Sequence, residues 1–240
     1  MSGPRRLAAS DWQSIRLVVF DVDGTLYDQY RLRLRMSRDL LLDAARRRSA
    51  EAIKVLRVYR RLREAMADAE VADFEPALIA ETARVTGRPG DRVRAVVDTW
   101  IDKKPLRYLA SCRYSGVAEL FAGLRRNGKL VGVLSDYPAA AKLAALGLEA
   151  DYVVCAGDSS VGLLKPNPKG LAVLMQAAGV DAQATVSIGD RIERDGAAAR
   201  RLGVRPLIRS RRPLDHWQTF ARFDDPIFRN FRPGRSEIEA

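Results

Sequence analysis

Two carboxylates, Asp21 and Asp23, stand directly after the apolar run Leu17-Val18-Val19-Phe20 and are followed by Gly24-Thr25. Placing two like charges side by side costs free energy unless a cation or a proton stands between them, so the pair is a candidate metal and acid/base site. Taken alone, the stretch also fits a loop whose aspartates form a turn before Gly24. Three further groups occur in comparable settings. The apolar run 130–134 ends on Ser135-Asp136; Val186-Ser187-Ile188-Gly189 ends on Asp190, with Asp195 five positions on; and Lys165 lies in a loop stiffened by Pro166 and Pro168. Parallel strands place their carboxyl ends on one edge, where open α/β sheets bind ligands. One site can therefore collect four carboxylates, a hydroxyl and an ammonium.

The surrounding pattern supplies the elements. Residues 15–20 are a short, β-branched, continuously apolar run, the signature of a strand buried on both faces of a parallel sheet. From Tyr27 to about Arg113 apolar residues recur at helical spacing: Leu32, Met36 and Leu40; Ile53, Leu56, Tyr59 and Leu62; Phe74, Leu78 and Thr82. Asp91 is placed to cap a fourth helix over 93–100, which Lys103-Lys104-Pro105 ends. After Gly116 helices (117–126, 139–146, 168–178, 196–202) alternate with strands (130–134, 152–156, 185–188, 204–208). The predicted fold class is α/β, a doubly wound parallel-sheet (Rossmann-like) core interrupted by an all-helical insertion. Trp217, Phe220 and Phe223 predict a short helix docking the tail, 211–240, onto the body.

Composition narrows the function classes. The chain has 240 residues, 47% of them apolar, which suits a globular protein and excludes a disordered one. No apolar run reaches the length of a membrane span, and the two arginines in residues 1–10 have no apolar stretch behind them, so neither a membrane partner nor a secretory signal is expected. Cys112 and Cys155 stand alone, as reduced packing thiols of a cytoplasmic protein and outside any zinc-ligand spacing. The one histidine, His216, is expected on a late helix, so acid/base work rests mainly on carboxylates. A net charge of +11 admits nucleic acid or an anionic substrate as partner. The runs Arg46-Arg47-Arg48, Arg60-Arg61 and Arg125-Arg126 lie in helical patterns and read as solvated faces. No basic stretch is interleaved with aromatics, so no nucleic-acid partner is expected.

In order along the chain, Asp21-Val22-Asp23-Gly24-Thr25, Ser135, Lys165, and Gly189-Asp190 with Asp195 resemble the four motifs of the haloacid-dehalogenase-like (HAD) superfamily of phosphohydrolases, over residues 15 to 209. Any one motif is weak; the ordered set is specific. The resemblance implies a Mg2+-dependent phosphatase acting on a small phosphorylated metabolite. Asp21 would be the nucleophile and a metal ligand. Asp23 would be the acid/base, its backbone carbonyl a further ligand, and Asp190 and Asp195 would complete the metal set. Thr25, Ser135, Asp136 and Lys165 would meet the substrate phosphate, Lys165 also stabilising the transition state electrostatically. About 110 residues separate Asp21 from Ser135 but only 30 separate Ser135 from Lys165, so the resemblance places a helical cap at 28–111, with 1–27 and 112–240 forming the core. At most one of Arg31, Arg33 and Arg35 is expected to face the site.

Asp136 stands where the family often has Asn, and an inward carboxylate there would oppose phosphate binding. Three other readings stand beside the phosphatase. A phosphomutase would use the same residues. A phosphonate hydrolase would need a cap lysine, and Lys54 is the only one well inside the cap. A basic binding protein on a HAD scaffold would leave the filled motifs without work. Dehalogenases of the superfamily lack a carboxylate two residues after the nucleophile, and Asp23 argues against that activity. Oligomeric state and substrate are not legible.

Overall fold

The computed structural model describes residues 7–232; the outermost parts of the lead-in and tail, 1–6 and 233–240, lie outside them. Strand β1 (Leu17–Phe20) is buried along its whole length. Val18 and Phe20 enter one apolar layer, Leu17 and Val19 the other, as a run without polar alternation requires. The chain then leaves the sheet for α1 (Gln29–Arg47), α2 (Glu51–Asp68), α3 (Phe74–Thr86), α4 (Gly90–Val97) and α5 (Leu106–Cys112). Asp28 caps α1 by accepting a hydrogen bond from the Arg31 amide at 3.0 Å. This inserted helical cap has its own core of Val55, Leu56, Phe74, Leu78, Val93 and Trp100, which Ala156 and Leu164 join from the sheet side.

The helical run does not stop at Lys103-Lys104-Pro105. A π-turn over Asp98–Lys103 leads into α5, whose N-cap position Pro105 occupies, where a missing amide costs nothing. The Lys104 ammonium lies 3.3 Å from the centre of the Trp100 ring, so the basic residues cover the turn instead of breaking it. Asp91 sits within the first turn of α4, and Pro89 is its N-cap residue.

The next elements alternate as predicted: α6 (Val117–Arg126), β2 (Leu130–Ser135), α7 (Ala140–Leu146), β3 (Tyr152–Cys155), α8 (Lys169–Ala178), β4 (Thr185–Gly189), α9 (Ala197–Arg201) and β5 (Arg205–Arg209); a strand that was not predicted, β6 (Thr219–Phe220), follows. All six strands are parallel, in the order β3-β2-β1-β4-β5-β6. The chain builds outward from β1 in one direction and then in the other, which opens a crevice beside β1. Phe20 pairs with Val133 and Ile188, so the residues that follow β1, β2 and β4 leave the sheet side by side.

The tail docks, but not through the expected helix. The amides of Ile208 and Ser210 on the sheet edge are satisfied by the carbonyls of Gln218 and Phe220, both at 2.8 Å, so this segment forms β6. His216 sits in an exposed left-handed turn, not on a helix. A 3-10 turn, Pro226–Phe231, then brings Phe228 and Phe231 against Trp12. Both cysteines are free thiols. Among the described residues no helix is long and apolar enough to cross a membrane.

Candidate active site

Asp21 emerges from β1 with its amide bonded to the Ile188 carbonyl at 2.8 Å. Its two carboxylate oxygens are held separately. The Lys165 ammonium donates to Oδ1 at 2.6 Å and the Thr25 hydroxyl to Oδ2 at 2.9 Å. The same ammonium donates to Asp195 Oδ1 at 2.6 Å, and the Arg191 amide donates to Asp195 Oδ2 at 3.0 Å. Asp190 follows β4 and keeps Oδ1 buried, without a hydrogen-bond partner among the described residues. Two glycines admit this crowding. A Cβ on Gly24, which has φ +98°, would lie 2.2 Å from Asp190 Oδ2, and one on Gly189 would lie 2.3 Å from Asp195.

Asp21, Asp190 and Asp195 each offer an oxygen within 4.8 Å of the others. Three carboxylates against one ammonium leave two negative charges. Burial, and then the neighbouring carboxylates, push Asp21 well above the usual range even though Lys165 opposes them. Asp190 is pushed up to about 6 by burial and the charge of Asp195. Lys165 is itself raised, because Asp195 and Asp21 outweigh the effect of its burial. Hard oxygen donors, a surplus of two charges and the unpartnered Asp190 oxygen fit a divalent cation such as Mg2+.

Ser135 ends β2 fully buried, and its hydroxyl accepts from the Tyr137 amide at 3.2 Å. The Asp136 carboxylate accepts from the Lys165 amide at 3.0 Å. It therefore braces the lysine loop and does not project into the cluster. Asp23 stands apart from the three clustered carboxylates: Lys142 on α7 donates to both its oxygens, at 2.6 and 2.7 Å, and the Tyr27 hydroxyl donates to one of them. Burial alone would raise Asp23, but the charge and hydrogen bonds of Lys142, with the Tyr27 bond, hold it below its ordinary value.

A family model described as haloacid dehalogenase-like hydrolase matches residues 15–203. The chain belongs to this hydrolase family. It is 28% identical over 226 residues, 88% of its length and 87% of the relative's, to a phosphoglycolate phosphatase of Rhodospirillum rubrum. Among solved structures it resembles the HAD-hydrolase YfnB of Bacillus subtilis, determined bound to magnesium, with TM-score 0.63 and 14% identity over 87% of this chain and 95% of that one. A 2-haloacid dehalogenase from Pseudomonas syringae pv. Tomato DC3000 gives TM-score 0.62 and 20% identity at the same coverages. These two likenesses establish the fold.

In this HAD hydrolase the cap roofs the cluster and encloses a cavity of about 680 Å³. Cap residues grip the loops that carry the motifs. Arg63 donates to the Asp136 carbonyl and lies 4.9 and 4.1 Å from the Phe74 and Tyr137 ring centres. Glu64 takes both terminal nitrogens of Arg191 at 3.0 Å and Arg194 at 2.8 Å, while Asp68 takes Arg194 at 2.7 Å. Arg33 lines the cavity; Arg35 instead bonds Ser111 and lies over Tyr108, and Arg31 is exposed outside it. Arg60, expected on a solvated face, lines the cavity as well. Lys54 does not: it donates to the Thr86 carbonyl at 3.2 Å.

Lys142, Tyr27, Arg63 and Glu64 are the site residues that sequence reasoning missed. Lys142 carried a signal, as the one charged residue in the apolar helix Ala140–Leu146 directly after the second motif. Arg63 and Glu64 carried none, since a polar position on a cap helix reads as solvated until the helix is docked.

Proposed function

We propose that the chain is a Mg2+-dependent phosphomonoesterase acting on a small phosphorylated metabolite through an aspartyl-phosphate at Asp21. The observation that carries this reading is the setting of Asp21: one oxygen tied to Lys165, the other to Thr25, beside a buried Asp190 oxygen that has no partner. Asp21, Asp190, Asp195 and the Asp23 carbonyl would hold the metal, which when bound masks phosphoryl charge and so admits an anionic nucleophile. The helical segment 28–111 serves as the cap that excludes water.

An Asp21 oxygen forms a bond to phosphorus as the ester P–O bond breaks, and Asp23 gives its proton to the departing oxygen. Asp23 rests ionised against Lys142; the approach of a phosphoryl dianion raises its proton affinity, so it takes up a proton from solvent as substrate binds and has that proton to give in this step. Asp23 then takes a proton from water, whose oxygen attacks phosphorus; the Asp21–phosphorus bond breaks and phosphate leaves. Lys165 and Ser135 balance the charge on the phosphoryl oxygens. The relative from Rhodospirillum rubrum makes phosphoglycolate the first substrate to try. Phosphate release should require Mg2+, stop with EDTA, and fall by at least ~10³-fold in Asp21→Asn. Release that survives in Asp21→Asn would overturn the assignment of the nucleophile.

A further inference from the structure

The cations around the cavity can be accounted for one at a time. Lys165 is committed to Asp21 and Asp195, and Lys142 to Asp23. Arg191 and Arg194 are committed to Glu64 and Asp68, and Arg63 to the Asp136 carbonyl and two rings. Arg33 on α1 and Arg60 on α2 remain. Both line the cavity, both are solvent-exposed, and neither has a hydrogen-bond, ion-pair or ring partner among the described residues. They reach it from different helices: the charge of Arg33 acts on Tyr27, which bonds Asp23, and that of Arg60 acts on Tyr137. The same cavity is also lined by the apolar Leu32, Met36, Leu56 and Trp100.

A phosphoryl group at Asp21 is already served by Lys165, Ser135 and a metal. Two further guanidinium groups on the roof of the same cavity have no anion to neutralise among the described residues. We infer that Arg33 and Arg60 form a second oxyanion subsite, so that the substrate is a phosphomonoester whose leaving group carries a further carboxylate or phosphoryl group. This rests on the phosphatase reading of the site and narrows its substrate class. A guanidinium binds either oxyanion through paired N–H donors, so the chemistry admits both.

The test compares phosphoglycolate, with its carboxylate, and a short-chain diol bisphosphate against ethyl phosphate and phosphoethanolamine. Each is assayed with wild type, Arg33→Met, Arg60→Met and the double variant. Wild type should prefer one or both doubly anionic substrates in kcat/KM, and which one identifies the source of the anion. Each single variant should lose about tenfold on the preferred substrate, mainly through KM, and change less than about twofold on ethyl phosphate. The preference should also shrink as salt rises. Equal losses on all four substrates, no loss on any, or a wild-type preference for ethyl phosphate or phosphoethanolamine would each overturn the subsite while leaving the phosphatase standing. Absence of turnover with every substrate would count against the phosphatase reading alone, and the subsite would then be judged by binding. Binding of phosphoglycolate and ethyl phosphate to Asp21→Asn, followed by calorimetry, separates the two failures: selective binding that Arg33→Met abolishes supports the subsite without turnover, and unselective binding refutes it.

Discussion

The strand-end cluster and the cap treat charge in opposite ways. At the sheet edge Asp21, Asp195 and Lys165 are almost wholly buried, and each ion pair has a length of 2.6 Å. Across the cap the pairs are largely exposed: Glu64 keeps 52% and Asp68 73% of its side chain in solvent while binding buried Arg194. Buried charges stay where they are because removing one partner strands the other, whereas exposed pairs are screened and individually weak. The cluster is thus fixed in place, as the proposed reaction requires. The cap is held by bonds that can be remade, which suits a roof that must admit substrate and release product.

The sharpest way to break this contrast is to disturb the fixed half without touching a charge. In Gly24→Ala the new Cβ would meet Asp190 Oδ2 at 2.2 Å in a left-handed backbone that alanine resists. The backbone strain and the displaced carboxylate should cost ~1–3 kcal/mol of stability. A shift of this kind at reacting groups should lower kcat by at least ~10²-fold. Thermal melts and phosphate release measure the two effects. A variant with wild-type kcat would mean that the Asp190 position is not critical.

Lys142→Met tests whether Asp23 belongs to the fixed half. The pair is buried, so Asp23 left alone should destabilise the fold by about 3 kcal/mol, and Asp23→Asn added to it should restore much of that loss. If Lys142 aims the acid, kcat on alkyl phosphates should fall by about 10²-fold and on p-nitrophenyl phosphate by less than tenfold, since a good leaving group needs little protonation. Equal losses on both would make Lys142 a structural residue only.

These two residues also mark what was legible in the sequence. Asp21 and Asp190 could be read together because each directly follows a strand, and parallel strands fix where such ends meet; Lys165 and Asp195, in the segments beyond β3 and β4, were joined to them by the order of the four motifs. β1 announced itself as doubly buried by having no polar alternation. Lys142 lies on a helix face, where direction depends on how the helix packs, so its meeting with Asp23 could not be read from spacing. The tail failed for a related reason: Trp217, Phe220 and Phe223 fit a helical period, but the unsatisfied edge of β5 decided in favour of a strand. Likewise the run Arg60-Arg61 has a period but no stated direction, and only docking of α2 put Arg60 in the cavity.

On the cap side the largest effect should come from Arg63, the one cap guanidinium that is itself buried. Arg63→Ala removes its bond to the Asp136 carbonyl and its contacts with the Phe74 and Tyr137 rings, and should cost ~1–3 kcal/mol by thermal melt. A loss within error would mean that Arg63 does not anchor the cap.

Glu64 should give the smallest effect and the clearest pH signature. Its hydrogen bonds to Arg191, and then to Arg194, hold its carboxyl at about 2 against an ordinary value of 4.5. A carboxyl depressed on folding stabilises the folded state fully above its unfolded value, and that stabilisation fades as pH falls from about 4.5 toward about 2. Because half of the side chain is in water, screening limits the contribution to less than ~1 kcal/mol. Glu64→Gln should therefore flatten the stability curve between about pH 4.5 and about pH 2 while leaving its shape above pH 5 unchanged. High salt should erase the difference between variant and wild type. A difference that persists in high salt would place Glu64 with the buried, fixed charges and remove the contrast between the two halves of the molecule.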